Sequence, residues 1–210
     1  MSAITLKTEI VSTEDVKALD RALQILDQGG LVAFPTDTVY GLGAMAFNTQ
    51  AIEQLYIAKG REALKAIAVL IGHVEALAQV ATDLSNKAQR LAEHFWPGPL
   101  TLVLPGHPSL PSNLSPLPTV GVRMPDHPFA LTLLNRAGPM AVTSANLSGE
   151  PSTNTAQEVF EQLKGRIPLI LDGGHSPGGL PSTVVDCSGD ELAILRQGPL
   201  SMAQLLSALF

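Results

Sequence analysis

Apolar positions along the chain follow two spacings in turn. Val16, Leu19, Leu23 and Leu26 recur every three or four residues, the period of one helical face. Ser12 or Thr13 stands where a capping hydroxyl is wanted, and Glu14 and Asp15 suit the first turn of a helix dipole. Gly29-Gly30 ends this helix, and the unbroken apolar run 31–34 predicts a buried strand closed by Pro35.

The same alternation repeats downstream. Ala51, Ile52, Leu55 and Tyr56 make a helical stripe behind an Asn48 cap, and residues 67–71 read as a strand. Residues 74–81 and 85–95 read as helices, the second capped by Ser85. Strands are predicted over 100–104, 120–124 and 140–143, with a helix opened by Pro128 at its favoured first position. A helix capped by Thr155 runs to Leu163, strands cover 169–171, 183–185 and 192–195, and Ser201 caps a last short helix. Strands alternating with helices, without internal repeats, define an α/β fold. Residues 1–210 read as one domain with a core of about 10–200, and the Pro-rich stretch 105–118 reads as a long surface loop.

Composition narrows the partners. Aromatics are only 4%, so the core is aliphatic, and the formal net charge of −6 opposes a general attraction to nucleic acid. Lys87, Arg90, Arg136, Lys164 and Arg166 are too scattered to predict a basic patch, so weak or no direct tRNA binding is expected. The lone Cys187 can form no internal disulfide, which fits a reducing compartment, and it reads as a small apolar filler. No signal-like segment opens the chain and the apolar runs are short, so a cytoplasmic location without a membrane partner is expected.

The familiar catalytic signatures are missing. There is no P-loop, no dinucleotide glycine fingerprint and no Gly-x-Ser-x-Gly elbow. The five histidines show no metal-binding spacing, so no protein metal site is expected. Small polar and basic residues instead collect at strand ends, where open α/β sheets bind ligands. Residues 35–43 place two hydroxyls, a carboxylate, a phenol and two glycines directly after a strand. Residues 143–152 and 172–183 are hydroxyl- and glycine-rich loops after strands, and Lys59-Gly60-Arg61 ends a helix with Lys65 beyond it. Each segment alone also fits ordinary turn chemistry or a helix-dipole complement. Arg123 and Arg196 lie in apolar strands, where a guanidinium needs an anion. That anion is either a structural carboxylate such as Asp37 or Asp186, or a bound ligand.

In this order the segments resemble the threonylcarbamoyl-AMP synthase family, the YrdC-like proteins of tRNA modification. The matching stretches are 34–43, 59–61, 96–104, 120–125, 144–149, 181–186 and 195–198. The resemblance implies a twisted mixed sheet flanked by helices with a deep concave pocket. It implies ATP as substrate with Mg²⁺ across its phosphates, L-threonine and bicarbonate as co-substrates, and downstream tRNA threonylcarbamoyl-transfer proteins as partners. By that pattern Lys59 and Arg61 clamp phosphates, Thr119, Ser152 and Arg196 attend the nucleotide, and Ser144 and Asn146 hold the adenylate. Thr36, Tyr40, Lys65, Arg123, Val142 and Ser182 fall to threonine, Arg123 through its carboxylate. The chain resembles the short family form. It departs from the pattern at Glu62 and Ala66, where the family carries prolines, which should loosen that loop and set a negative charge beside the clamp. Competing expectations are an RNA-binding or ribosome-maturation module, a paralogue with altered activity, and a carbamoyl-transfer role like that of larger hydrogenase-maturation proteins.

Overall fold

A computed structural model describes residues 6–62, 65–189 and 191–209. One ten-stranded sheet runs through them. In chain order its strands are β1 (Glu9–Ser12), β2 (Val32–Phe34), β3 (Gly41–Met45), β4 (Ala68–Leu70) and β5 (Leu100–Pro105), followed by β6 (Thr119–Arg123), β7 (Met140–Ser144), β8 (Leu169–Asp172), β9 (Thr183–Asp186) and β10 (Ala193–Arg196). The spatial order is β1-β8-β2-β3-β7-β4-β6-β5-β9-β10. Parallel pairs (β1 with β8, β8 with β2, β4 with β6, β5 with β9) mix with antiparallel ones, so the sheet is mixed, as the resemblance implied.

The helices are α1 (Ala18–Asp27), α2 (Thr49–Lys59), α3 (Leu77–Val80), α4 (Asn86–Phe95), α5 (Pro128–Ala137), α6 (Ala156–Leu163) and α7 (Met202–Ser207). Capping follows the sequence. Asn48, Ser85, Thr155 and Ser201 each accept a backbone N–H in the first turn of the helix they precede, and Ser201 with Gln204 forms a capping box. At the end of α1, Gly29 adopts φ +77° while Gly30 and Gly29 donate back to Ile25 and Leu26, a Schellman stop that a side chain at Gly29 would strain.

Two expectations are corrected. The first helix starts at Ala18 rather than near residue 14, and neither Ser12 nor Thr13 caps it. Ser12 instead closes β1, a strand the sequence reading missed, and its Oγ accepts the N–H of Glu14. Asp15 accepts the N–H of Lys17, so the acidic pair builds a turn before the helix, and Val16 is left 91% exposed. The buried face is Ala18, Ala22, Ile25 and Leu26. The second correction is β3, which the sequence reading placed in a turn. Gly41 and Gly43 dilute its apolar signal, and their missing side chains let Phe34, Met140 and Val142 pack across it.

The period of two in the strands sorts side chains to two faces. Ala33, Leu42, Val69, Leu102, Val122 and Ile170 join the larger core, beneath α2, α4 and α6. Val32, Phe34, Leu70, Met140, Val142 and Leu171 point the other way, where α1 and α5 cover them. These two helices pack on each other and cover only part of that face. Further across the sheet, over β4, β6, β5 and β9, the same face opens into a cavity. The Pro-rich stretch remains irregular, as expected, and folds in through Leu114, whose carbonyl takes the Ile67 N–H.

Candidate active site

The cavity measures about 340 Å³, and its floor is made by strand residues that point away from the larger core, with Leu70 and Val142 at its border with the smaller one. Leu70 of β4, Thr101 and Val103 of β5, Gly121 and Arg123 of β6, Val142 and Ser144 of β7, Val184 of β9 and Ser182 just before it all line it. The turn 36–41 forms one wall, Arg61 after α2 another, Ser115 to Thr119 a third, and Leu195 and Arg196 of β10 the last.

Sequence-predicted residues meet here from six separate segments. Thr36, Tyr40, Arg61, Thr119, Arg123, Val142, Ser144, Ser182 and Arg196 all line the wall. Lys59, Lys65, Asn146 and Ser152 do not belong to it. Lys65 is exposed and pairs with Glu62 at 3.6 Å. Glu62 thereby turns to solvent, its side chain 78% exposed. The expected looser loop involves residues 63 and 64, which lie outside the described residues. Ser152 is half-buried. Asn146 donates to the carbonyls of Leu147 and Glu150, both at 2.8 Å, and so folds its loop upon itself. Lys59 is 2% exposed, and its Nζ donates to the carbonyls of Ser144 and Asn146.

Three guanidiniums set the electrostatics. Arg123 is held on three sides: Nε donates to Gly98 O at 2.9 Å, Nη1 to Thr38 Oγ1 at 2.8 Å, and Nη2 to Asp37 Oδ1. The structural partner is therefore Asp37, one of the two carboxylates weighed from sequence, rather than Asp186. Asp37 Oδ1 also accepts the N–H of Asp126. Arg196 donates from Nε and Nη2 to Ser182 O at 3.1 and 2.9 Å, and Ser182 Oγ lies 2.7 Å from Thr101 Oγ1. Arg61 donates to Ala66 O at 2.9 Å, while its buried Nε has no partner. Among the described residues neither Arg61 nor Arg196 reaches a carboxylate. Burial lowers the pKa of all three, and charge repulsion adds to it: Arg61 pushes down Arg196, and Arg196 pushes down Arg123. Guanidiniums that repel one another in a recess, two of them unpaired, make a site for a multiply charged anion.

The turn after β2 shows both roles its sequence allowed. Thr36 Oγ1 donates to Val39 O at 2.6 Å and accepts from Thr38 N, ordinary turn chemistry, yet both threonines face the cavity. The Tyr40 hydroxyl donates to Gly174 O at 2.7 Å and accepts from Gly173 N, which ties the turn to the second glycine loop. Burial pushes its pKa up to about 12. Sequence reasoning gave Thr38 no role of its own within 35–43, and it missed Thr101 and the apolar wall of Val103, Val184, Leu117 and Leu195. Strand alternation in β5 and β9 was the signal that could have found most of these. Among the described residues no group of three His, Cys, Asp or Glu side chains could hold a metal ion.

A mixed α/β sheet with a cation- and hydroxyl-lined recess on one face is the arrangement expected of the YrdC-like class. The chain belongs to the Sua5/YciO/YrdC family: the family model, described as telomere recombination, matches residues 24–198. It is 43% identical over 201 residues to a threonylcarbamoyl-AMP synthase of Bacillus subtilis, an alignment spanning 94% of this chain and 58% of that protein. A Pyrococcus abyssi protein of the same name is 42% identical over 88% of this chain and 55% of its own length. The chain thus spans a little over half the length of these curated relatives. Among solved structures, P. abyssi Sua5 complexed with L-threonine superposes with a TM-score of 0.90 at 40% identity, covering 97% of this chain and 60% of that one. Escherichia coli YciO superposes at 0.83 with 27% identity, covering 98% and 100%.

Proposed function

We propose that this chain is an L-threonylcarbamoyladenylate synthase, a nucleotidyltransferase acting on ATP, L-threonine and bicarbonate. The carrying observation is the convergence of Arg61, Arg123 and Arg196, from three distant segments, on one hydroxyl-lined cavity. Threonine's amine takes up carbon dioxide as a carbamate. A carbamate oxygen then attacks the α-phosphorus of ATP, the bond to the β-phosphate breaks, and pyrophosphate leaves. No protein nucleophile is needed. The barrier falls by aligning two substrates and neutralising charge as it moves onto the leaving group.

In this scheme Arg61 and Arg196 hold the polyphosphate, with Thr119 and Ser144 beside the nucleotide. MgATP enters as the metal complex, its Mg²⁺ carried by phosphate oxygens. Thr36, Val142 and Ser182 cradle threonine, and Arg123 offers its carboxylate the donors that Asp37 and Thr38 leave free. The single sheet supports treating about residues 10–200 as one domain. The labile mixed anhydride passes to proteins that transfer the threonylcarbamoyl group to tRNA.

Pyrophosphate release from MgATP, measured with and without L-threonine and bicarbonate, tests the assignment. Release that depends on both supports it. Binding of tRNA without turnover would point to the RNA-binding alternative.

A further inference from the structure

Lys59 is the last residue of α2, and both its ammonium and its carbonyl bond to one loop. Its Nζ donates to the carbonyls of Ser144 and Asn146, and its own carbonyl accepts the N–H of Ser148 at 2.9 Å. The contacts fall on alternate residues from the end of β7 onward, Ser144, Asn146 and Ser148. Lys59 is buried, it is outside the cavity wall, and no carboxylate among the described residues pairs with it. Arg61, two residues on, reaches the cavity; Lys59 does not.

An ammonium buried among carbonyls is costly unless its donors meet acceptors that would otherwise go unpaired. Here the Nζ donors meet two backbone carbonyls, those of Ser144 and Asn146. The far side of the loop is fixed independently: Ala145 donates to Tyr40 O at 2.8 Å, and Thr153 Oγ1 donates to Ala145 O at 3.1 Å. Lys59 supplies the fastening on the side facing α2. What it fastens is the piece of chain that turns Thr143 and Ser144 toward the cavity.

We infer that Lys59 is a positioning residue, which pins the 144–148 loop so that Thr143 and Ser144 face the ligand, and that it does not itself touch the polyphosphate. The nucleotide part of this inference rests on the proposed function; the loop part stands on the ligand-free protein alone.

Two measurements on Lys59→Met test it. The first is hydrogen–deuterium exchange of the ligand-free protein across residues 145–148. Losing two tethers should speed exchange there by about tenfold or more, with the amides of α1 unchanged. The second is the affinity for ATP relative to AMP. A positioning residue weakens both alike, so the ratio stays within about threefold, whereas a lost phosphate contact weakens ATP by roughly tenfold more than AMP. Unchanged exchange overturns the inference, and so does a tenfold change in the ratio. If Lys59→Met does not fold, Lys59→Gln, which keeps N–H donors without the charge, is read by the same two criteria. Failure of the wild-type chain to bind ATP at all would sink the proposed function while leaving the exchange result to decide the loop role.

Discussion

Arg61 and Arg196 are the side chains whose loss should matter most, because each brings a charge that no carboxylate among the described residues cancels. Arg61→Ala and Arg196→Ala should each lower kcat/KM for ATP by roughly 100-fold, in line with losing one preorganised donor to a developing anion. Steady-state kinetics check this, and near-normal values would remove that residue from the site. Lys59 makes a different prediction. Burial holds its pKa at about 7, below the usual lysine value of 10.5. Above pH 7 the unfolded chain therefore binds more protons at this residue than the folded one, and stability rises with pH. Cys187, whose thiol burial pushes up to about 11, opposes this only above its ordinary value of 9.0. Between pH 7 and 9 the wild-type protein should gain about 1–2 kcal/mol in urea unfolding, and Lys59→Met should flatten that rise.

The elements that place these side chains were legible where a period and a cap coincided. α2, α4 and α6 carry both an apolar face and an Asn, Ser or Thr at the cap, and all three stand where the sequence puts them. Thr155→Ala should cost about 1 kcal/mol by chemical denaturation, the usual value of such a cap. β1 and β3 were not legible. The four residues of β1 are too short for an alternation to stand out, and the glycines of β3 remove the signal and serve packing instead. Of the residues singled out from sequence, Thr36, Arg61, Arg123 and Arg196 are among those that line the cavity, while Lys59, Lys65, Asn146 and Ser152 do not, and the contacts that hold the lining in place were not legible. Nothing in the spacing says that Asp37 and Thr38 would hold Arg123, or that Lys59 would turn away from the cavity, since both depend on contacts between segments far apart in the chain. The glycine loop after β8 shows how tight those contacts are. A Cβ at Gly178 would lie 2.6 Å from Asp37 O and 2.8 Å from Thr38 Cα, both backbone atoms that cannot step aside cheaply. Gly178→Ala should shift the turn that holds Arg123, raising KM for threonine at least several-fold and lowering Tm by a few degrees. Unchanged threonine kinetics would separate this loop from the site.

For the whole molecule, one sheet does two jobs on a single face. Where α1 and α5 cover it, alternate side chains are core; where no helix lies, the same alternation exposes threonines, serines, glycines and arginines to a cavity. The chain carries a net charge of −6, so Arg61, Arg123 and Arg196 are a local concentration of positive charge in that recess rather than part of a general affinity for polyanions. No helix among the described residues is long and apolar enough to cross a membrane. In the proposed function, distant basic segments meet to hold a polyphosphate beside a small amino acid. A crystal structure with L-threonine and a non-hydrolysable ATP analogue tests it most directly. Phosphate oxygens should lie about 3 Å from Arg61 and Arg196, with the threonine carboxylate beside Arg123. Nucleotide bound away from these guanidiniums, or threonine outside the cavity, would contradict it.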